Sequence, residues 1–431
     1  MQGAIPHAQG ARDERLFSTA STRVDLLIAL ALGVAAAVVT LLIANVDPRL
    51  FGPLGWDFWF EADLPRELDT LTSTAANNYR TKVHPIYPLL TGVPTWVLFR
   101  LTGSWTTAIE LELAGVSLLA AAALYATVRL AGGTRPLAAA CVALYCASGA
   151  FLFFHGVAGT YALGGATMII ALAVGTEPLR RHRAAHVIAG ALALGVTVTN
   201  WIASLATAAA CHRPREALRL ALASFLVVAL LAAVQSNLFS RTGAFMQLVS
   251  EQRFTVPLDA TRLRNVAVGM LAHSIVAPHA ELGVGSEGDE PERTTLTAQG
   301  ARLPEDLAGR LALAAWGALL AIGAWGAVRP GVVGTFRWPL LVTLAAQVVI
   351  YLKYGRETFL YSAHAAPLLI VFAALGLATP VRRALPALIA ITAALCAYHN
   401  VGELRHARAL YDGYLANPPP EAPLNESSHV R

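Results

Sequence analysis

The chain has 431 residues, 56% of them hydrophobic and 14% charged, with a formal net charge of +5. A soluble domain carries about a quarter charged residues, so this composition excludes an ordinary water-soluble globular protein. The basic residues fall in short loops between apolar blocks, which argues against a nucleic-acid footprint and fits the cytoplasmic loops of a membrane protein.

Residues 1–23 hold Arg12, Arg15 and Arg23 and are expected to lie in the cytoplasm. Leu26 to Ala44 then runs apolar for close to the roughly 20 residues that a spanning helix needs. The block is long for a signal-peptide core and no small-residue cleavage site follows, so it reads as a retained signal-anchor. Apolar blocks that are continuous rather than alternating predict helical spans.

The positive-inside rule puts Arg129, Arg135, Arg180 to Arg183, Arg213 to Arg219, Arg329, Arg337, Arg382 and Arg383 in the cytoplasm. The first helix then runs outward and residues 46–106 form an outer loop. His84 to Leu101 contains Pro85, Pro88 and Pro94 and is short, so it reads as an interfacial or re-entrant helix. Spans follow at Thr107 to Leu130, Pro136 to Phe154, and from Thr160 back to Arg180. His186 to Ala210 lies between basic clusters and reads as two short helices that enter and return, with Asn200-Trp201 at the apex. No ionisable residue accompanies that break in the sequence, which favours packing over a gate.

A span near Leu218 to Val234 leads to a second outer segment, 236–306, and three or four further spans close the chain. The acidic, glycine-rich run Glu281 to Glu292 reads as a solvated loop. Residues 401–431, with Pro418 to Pro420 and Pro423, read as a flexible outer tail. The expected fold is therefore all-α: a polytopic membrane domain over 24–400 with about 10–12 helices, in the plasma (inner) membrane with a cytoplasmic N-terminus. Cys141, Cys146, Cys211 and Cys396 have the spacing of neither a metal site nor a disulfide framework. His273 and His279 are six apart and off a common helical face, so the sequence indicates no metal.

Chemistry is expected in two outer features. The first loop combines the acids Asp57, Glu61, Asp63 and Glu67 with Arg80, Lys82 and His84 and with Trp56, Trp59, Tyr79 and Tyr87. Aromatics and cations suit the bilayer interface, but simple anchoring does not require a group of carboxylates near the headgroups. The second feature is the turn Lys353-Tyr-Gly-Arg-Glu-Thr-Phe-Leu-Tyr-Ser-Ala-His364. Arg356 with Glu357 reads either as a solvated ion pair or, with Lys353 and His364, as a phosphate-holding group facing the first loop.

An outward first helix, an acid in the first outer loop and the segment His84-Pro-Ile-Tyr-Pro-Leu-Leu90 together resemble the GT-C superfamily of membrane glycosyltransferases, which includes protein mannosyltransferases and aminoarabinose transferases. The resemblance covers mainly residues 24–210. It departs from the family's His-Pro-Pro-Leu pattern at the second proline, and the Asp-Glu pair of some members is absent. It implies a sugar donor on a polyprenyl phosphate, an acceptor glycan, lipid or protein, and a catalytic carboxylate in the first loop. Asp57 and Asp63 both qualify. Asp63 is favoured because Arg66 and Leu68 after it look like the start of the family's amphipathic helix. Arg80, Lys82, His84, Lys353, Arg356 and His364 would bind substrate. The alternatives are a transporter or flippase of a lipid-linked or anionic solute, and a non-catalytic scaffold. A transporter should show internal repeats and mid-membrane charge, and the sequence shows neither.

Overall fold

The computed structural model describes residues 19–47, 58–247, 249–285, 293–298, 303–329 and 336–416. In chain order, α1 (Thr19–Ile43) leads to the short α2 (Leu64–Thr72) and α3 (Val93–Thr102). Next come the long α4 (Trp105–Leu130), then α5 (Arg135–Ala147), α6 (Gly149–Phe154) and α7 (Thr160–Ala173). Helices α8 (Arg183–Val196), α9 (Trp201–Cys211), α10 (Pro214–Leu238) and α11 (Ala260–Val268) follow. An antiparallel hairpin of β1 (Glu281–Gly285) and β2 (Arg293–Thr297) is the only sheet among the described residues. The chain then forms α12 (Leu307–Val328), α13 (Arg337–Lys353), α14 (Ser362–Ala374) and α15 (Leu385–Ala416).

Five of these helices, α1, α4, α10, α12 and α15, are long and apolar enough to cross a membrane. Their outward faces are apolar too. Along α10, Leu218, Leu222, Leu226, Leu230, Val234 and Leu238 are exposed at steps of four, while Leu220, Ser224, Val228 and Gln235 face inward. Residues four apart share one helical face, so the exposed row is a continuous apolar strip. Water would leave such a strip as a large unsheltered patch; hydrocarbon solvates it.

The bundle packs α1 on α4, α4 on α7, α7 on α14, and α5 and α12 on α15. The expected span Thr107 to Leu130 is α4. The expected span Pro136 to Phe154 is broken at Ser148, whose hydroxyl accepts from Phe151 N–H at 3.2 Å and so starts α6. The two short helices expected over His186 to Ala210 appear as α8 and α9, parted by a tight turn at Val198–Asn200. The proline-rich segment is shorter than a span: one π-helical turn, Pro88–Gly92, runs into α3.

Side-chain and backbone bonds define two ends of the bundle. At one, Asp25 of α1 accepts from Arg129 at 2.9 Å, Arg135 at 2.8 Å and the Tyr125 hydroxyl at 2.9 Å. At the other, Asn45 N–H donates to Gly156 O at 2.7 Å, and Arg408 donates to the carbonyl of Ile43. Segments 46–106 and 236–306 meet at this second end, as Leu296 N–H donates to Phe58 O at 2.8 Å and Ser240 N–H to Thr74 O at 2.8 Å.

Two sequence expectations are corrected. Residues 401–416 are not a loose tail but the last turns of α15, with Leu404, Ala407 and Tyr411 buried. A helix of 32 residues is about 48 Å long, well beyond a hydrocarbon core of about 30 Å, and its C-terminal part packs against the segment between α1 and α4. Tyr414 stacks on Phe58 at 4.2 Å, and Tyr411 lies 5.6 Å from the same ring. The acidic run is also not all loop, because Glu281–Gly285 pairs strand to strand with Arg293–Thr297. The pairing buries Leu296 and Thr295, which the local charge pattern does not reveal. The remainder of that run, 286–292, and residues 417–431 lie outside the described residues.

Candidate functional site

The segment between α1 and α4 is built on an aromatic anchor. Trp59 and Phe60 are buried, Trp59 Nε1 donates to Phe153 O at 2.9 Å, and the Phe60 ring meets Phe153, Phe154 and Phe359 edge-on. This anchor holds an unusual backbone. Phe60, Glu61 and Asp63 have φ of 52°, 54° and 62°, in the left-handed region. For residues with a Cβ that region costs of order 1–3 kcal/mol each and collects at functional sites. Asp63 then precedes Leu64-Pro65, and Pro65 in the first turn suits the start of α2.

The strained turn sets up a short ladder of charge. Arg66 Nε donates to Asp63 Oδ2 at 2.5 Å, and its terminal nitrogen donates to Glu67 Oε1 at 2.6 Å. The Asp63 side chain is 38% exposed while that of Glu67 is 2% exposed, so only Asp63 is open to a reactant. Burial pushes the Glu67 carboxyl above its ordinary value despite the pull of Arg66. Asp57 lies outside the described residues.

A second cluster stands beside the first. Glu251 receives Arg80 at 3.1 Å and Lys82 Nζ at 2.9 Å, and the Tyr354 hydroxyl donates to the same carboxylate. Arg80 also reaches Tyr354 Oη at 3.3 Å and lies over the Phe254 ring. Burial alone would raise the Glu251 carboxyl; Arg80, the Tyr354 hydroxyl and Lys82 overcome this and hold it low. The Tyr79 ring joins the clusters, with Arg66 5.9 Å and Lys82 5.2 Å from its centroid.

His84 sits beneath these cations. Its Nδ1 is 2.9 Å from Val196 O and 3.1 Å from Thr197 Oγ1. A carbonyl only accepts, so Nδ1 carries the hydrogen and Nε2 the lone pair. Burial, then the charges of Arg80 and Arg66, hold His84 well below its ordinary value and therefore neutral. Nearby, Gly164 lets α7 approach both Asn200 and His364: a Cβ there would come within 2.9 Å of Asn200 Nδ2 and strike His364 Nε2. Both amide atoms of Asn200, and His364 Nε2, are buried without a protein partner. The break between α8 and α9 is thus accompanied by ionisable groups after all. They come from His84 and from α14, too distant in sequence to be read beside Asn200.

The site residues divide as follows. Asp63, Arg80, Lys82 and His84 come together, and Tyr354 links them to the turn 353–364. His364 is buried at the α7–α14 crossing. Lys353 and Arg356 are exposed at its rim. Arg356 and Glu357 are not a solvated pair. Glu357 is buried and accepts from Thr297 Oγ1 at 2.7 Å, Ala298 N–H at 3.2 Å and Phe359 N–H at 3.0 Å. Arg262, which sequence reasoning missed, donates to Arg356 O at 3.0 Å and Tyr354 O at 2.9 Å and fixes the turn. Arg66 and Glu251 were also missed as site formers; only an excess of buried charge in the two outer segments could have flagged them. A separate concavity lined by Arg181, Arg183, Cys211, His212 and Glu216 lies at the start of α8, remote from this site.

Comparison of the chain with protein-family models, with curated proteins and with solved structures finds no match.

One group has a measurable pH signature. Burial, aided by the neighbouring Glu357 carboxylate and opposed by Arg356, pushes Glu61 up from 4.5 to about 7. The folded chain therefore keeps a proton that the unfolded chain releases above about pH 4.5, and stability contributed by neutral Glu61 declines as pH rises from there to about 7. Glu61→Gln should match the parent near pH 4 and exceed it near pH 8 by up to about 3 kcal/mol. Thermal unfolding in detergent at the two pH values checks this, and an identical difference at both would contradict it.

Proposed function

We propose that this chain is a polytopic membrane glycosyltransferase of the GT-C type, transferring a sugar from a polyprenyl-phosphate donor at the outer face of the plasma membrane, with its N-terminus in the cytoplasm. The observation that carries the reading is the placement of a partly exposed carboxylate, Asp63, on a strained turn beside a cluster of Arg66, Arg80 and Lys82 at one end of an apolar helical bundle. That combination matches what the reaction requires.

In this reading the acceptor hydroxyl gives its proton to Asp63 while its oxygen attacks the anomeric carbon. The bond from that carbon to the lipid phosphate breaks, and the phosphate leaves with the electron pair. A positioned base typically supplies 10²–10⁴-fold, roughly. Arg66 orients Asp63. Arg80 and Lys82 are partly neutralised by Glu251, so their field and the rim cations Lys353 and Arg356 together meet the leaving phosphate. Neutral His84 supplies a lone-pair nitrogen beneath the donor. The exposed leucines of α10 and α1 would face the acyl chains of the bilayer and the polyprenyl tail.

Asp63→Asn keeps shape and cannot take the proton, so transfer should fall by about 10²-fold or more with donor binding and elution profile unchanged. Asp57→Asn is the comparison. If it alone is dead, the base lies six residues earlier and the mechanism stands; if both variants turn over a defined lipid-linked donor at the parental rate, the loop is not catalytic.

The orientation has its own test. Ala75 and His182 are exposed at the two ends. In a background without the four native cysteines, an impermeant thiol reagent on intact cells should label Ala75→Cys and spare His182→Cys. The reverse pattern would invert the topology.

A further inference from the structure

A cluster of imidazoles and carboxylates lies where α12, α15 and the segment before β1 converge. Helix α15 places His399, Glu403 and His406 at i, i+4 and i+7, on one face. Asp306, the N-cap of α12, meets the first two, and one ligand atom from each of Asp306, His399 and Glu403 falls within 4.8 Å of the others. His279 Nδ1 lies 2.9 Å from Glu403 Oε2, and Asp306 Oδ2 lies 2.7 Å from His399 Nδ1.

The surroundings orient these groups as ligands are oriented around a metal. His399 is buried, and its Nε2 faces Ala277 O at 3.1 Å. The carbonyl accepts, so Nε2 carries the hydrogen, and in the neutral ring Nδ1 presents a lone pair to the cluster. A ligating histidine commonly donates its other nitrogen to a backbone carbonyl in this way. Asp306 Oδ1 is occupied by Gly309 N–H at 2.8 Å, which leaves Oδ2 facing Nδ1. Two lone pairs at 2.7 Å repel unless a cation lies between them. Gly309 also makes room, since a Cβ there would stand 2.8 Å from His399 Nδ1. On the rim, His406 Nε2 faces Ala280 O at 3.1 Å, and its ring stacks on His279 at 4.2 Å. The Asp306 and His279 side chains are 49% and 57% exposed, against 4% for His399, so the cluster opens to solvent on one side only.

We propose that Asp306, His399 and Glu403 form a binding site for one divalent metal ion of the zinc class, with His279 holding Glu403 from the rim. An imidazole beside two carboxylates suits zinc better than calcium or magnesium, which take oxygen ligands. Tetrahedral donors about 2.0–2.1 Å from zinc lie roughly 3.3 Å apart, so the 2.7 Å contact between Asp306 and His399 opens by about half an ångström to admit it. The ion would tie the start of α12 to α15, on whose last turns Phe58 packs. The competing occupant is a proton, which would make His399 and His279 imidazolium partners of the carboxylates.

The test uses the full chain, purified in detergent with any affinity tag removed, stripped with chelator and titrated with ZnCl2. One equivalent should bind and raise the unfolding midpoint, and excess MgCl2 should not compete. Glu403→Gln removes a direct ligand, and His279→Gln removes the side chain that holds it. Both should lose at least the roughly 10–100-fold in affinity that loss of an outer-shell partner costs. His182→Asn, at the other end of the bundle, should bind zinc as the parent does. His399 is buried, so the partly exposed Glu403 and His279 carry the test. Zinc uptake equal in the parent and both of these variants, or no uptake by the parent, overturns the proposal. In the second case, a pH-dependent midpoint that Glu403→Gln abolishes would assign the cluster to protons.

Discussion

Glu251 is the interaction on which the rest of this end of the molecule depends. It is a buried carboxylate that accepts Arg80 and Lys82 from the segment between α1 and α4 and the Tyr354 hydroxyl from the α13–α14 turn. Two segments far apart in sequence are thereby fixed to one anion. Removing one partner of such a buried group typically costs about 3–5 kcal/mol, because it strands the opposite charge. The same anion tempers the field of Arg80 and Lys82, so the site carries positive charge without a bare cluster of cations. Around it, aromatic packing of Trp59 and Phe60 holds the left-handed turn that presents Asp63.

Polar chemistry at the end of an apolar bundle is possible because backbone needs are met locally. Arg262 satisfies the carbonyls of the 351–356 turn, and Glu357 collects the N–H groups of Ala298 and Phe359. Asn400 does the same deeper in, accepting from Ala277 N–H at 2.7 Å and donating to Ala147 O and Ile275 O at 2.7 Å. Where helices break, as at Thr197 to Asn200, neighbouring protein covers the irregular backbone, the condition under which such breaks are tolerated at membrane depth. His84 takes part in that cover and so couples the break to the charged loop above it.

Much of the helical frame was legible in the sequence. Thr107 to Leu130 was readable because its apolar run is unbroken, and α4 starts only two residues earlier. The break near Asn200 was readable from the basic clusters that flank it. Arg129 and Arg135 meet Asp25 at one end, a pairing that the loop charges do not announce. The site was legible only in part. Asp63, Arg80, Lys82 and His84 announced themselves as a polar group in one loop. Glu251 and Arg262 did not, because their meaning lies in partners about 90–170 residues away, which no local pattern encodes. The last turns of α15 were misread for a similar reason. The described part of the expected tail, 401–416, looks polar and expendable until Phe58 and the β hairpin are placed against it. The histidine cluster escaped notice because His279 was weighed against His273, its neighbour in sequence, and not against His399 and Glu403.

The central claim is that the outer polar site holds a lipid-linked sugar phosphate. Mass spectrometry of lipid extracted from the purified protein tests it most directly. A polyprenyl-phosphate sugar enriched over bulk phospholipid, and depleted when Arg80 and Arg356 are both replaced by alanine, is the result the account predicts. Bulk phospholipid alone, together with no binding of an added polyprenyl-phosphate sugar, would contradict it.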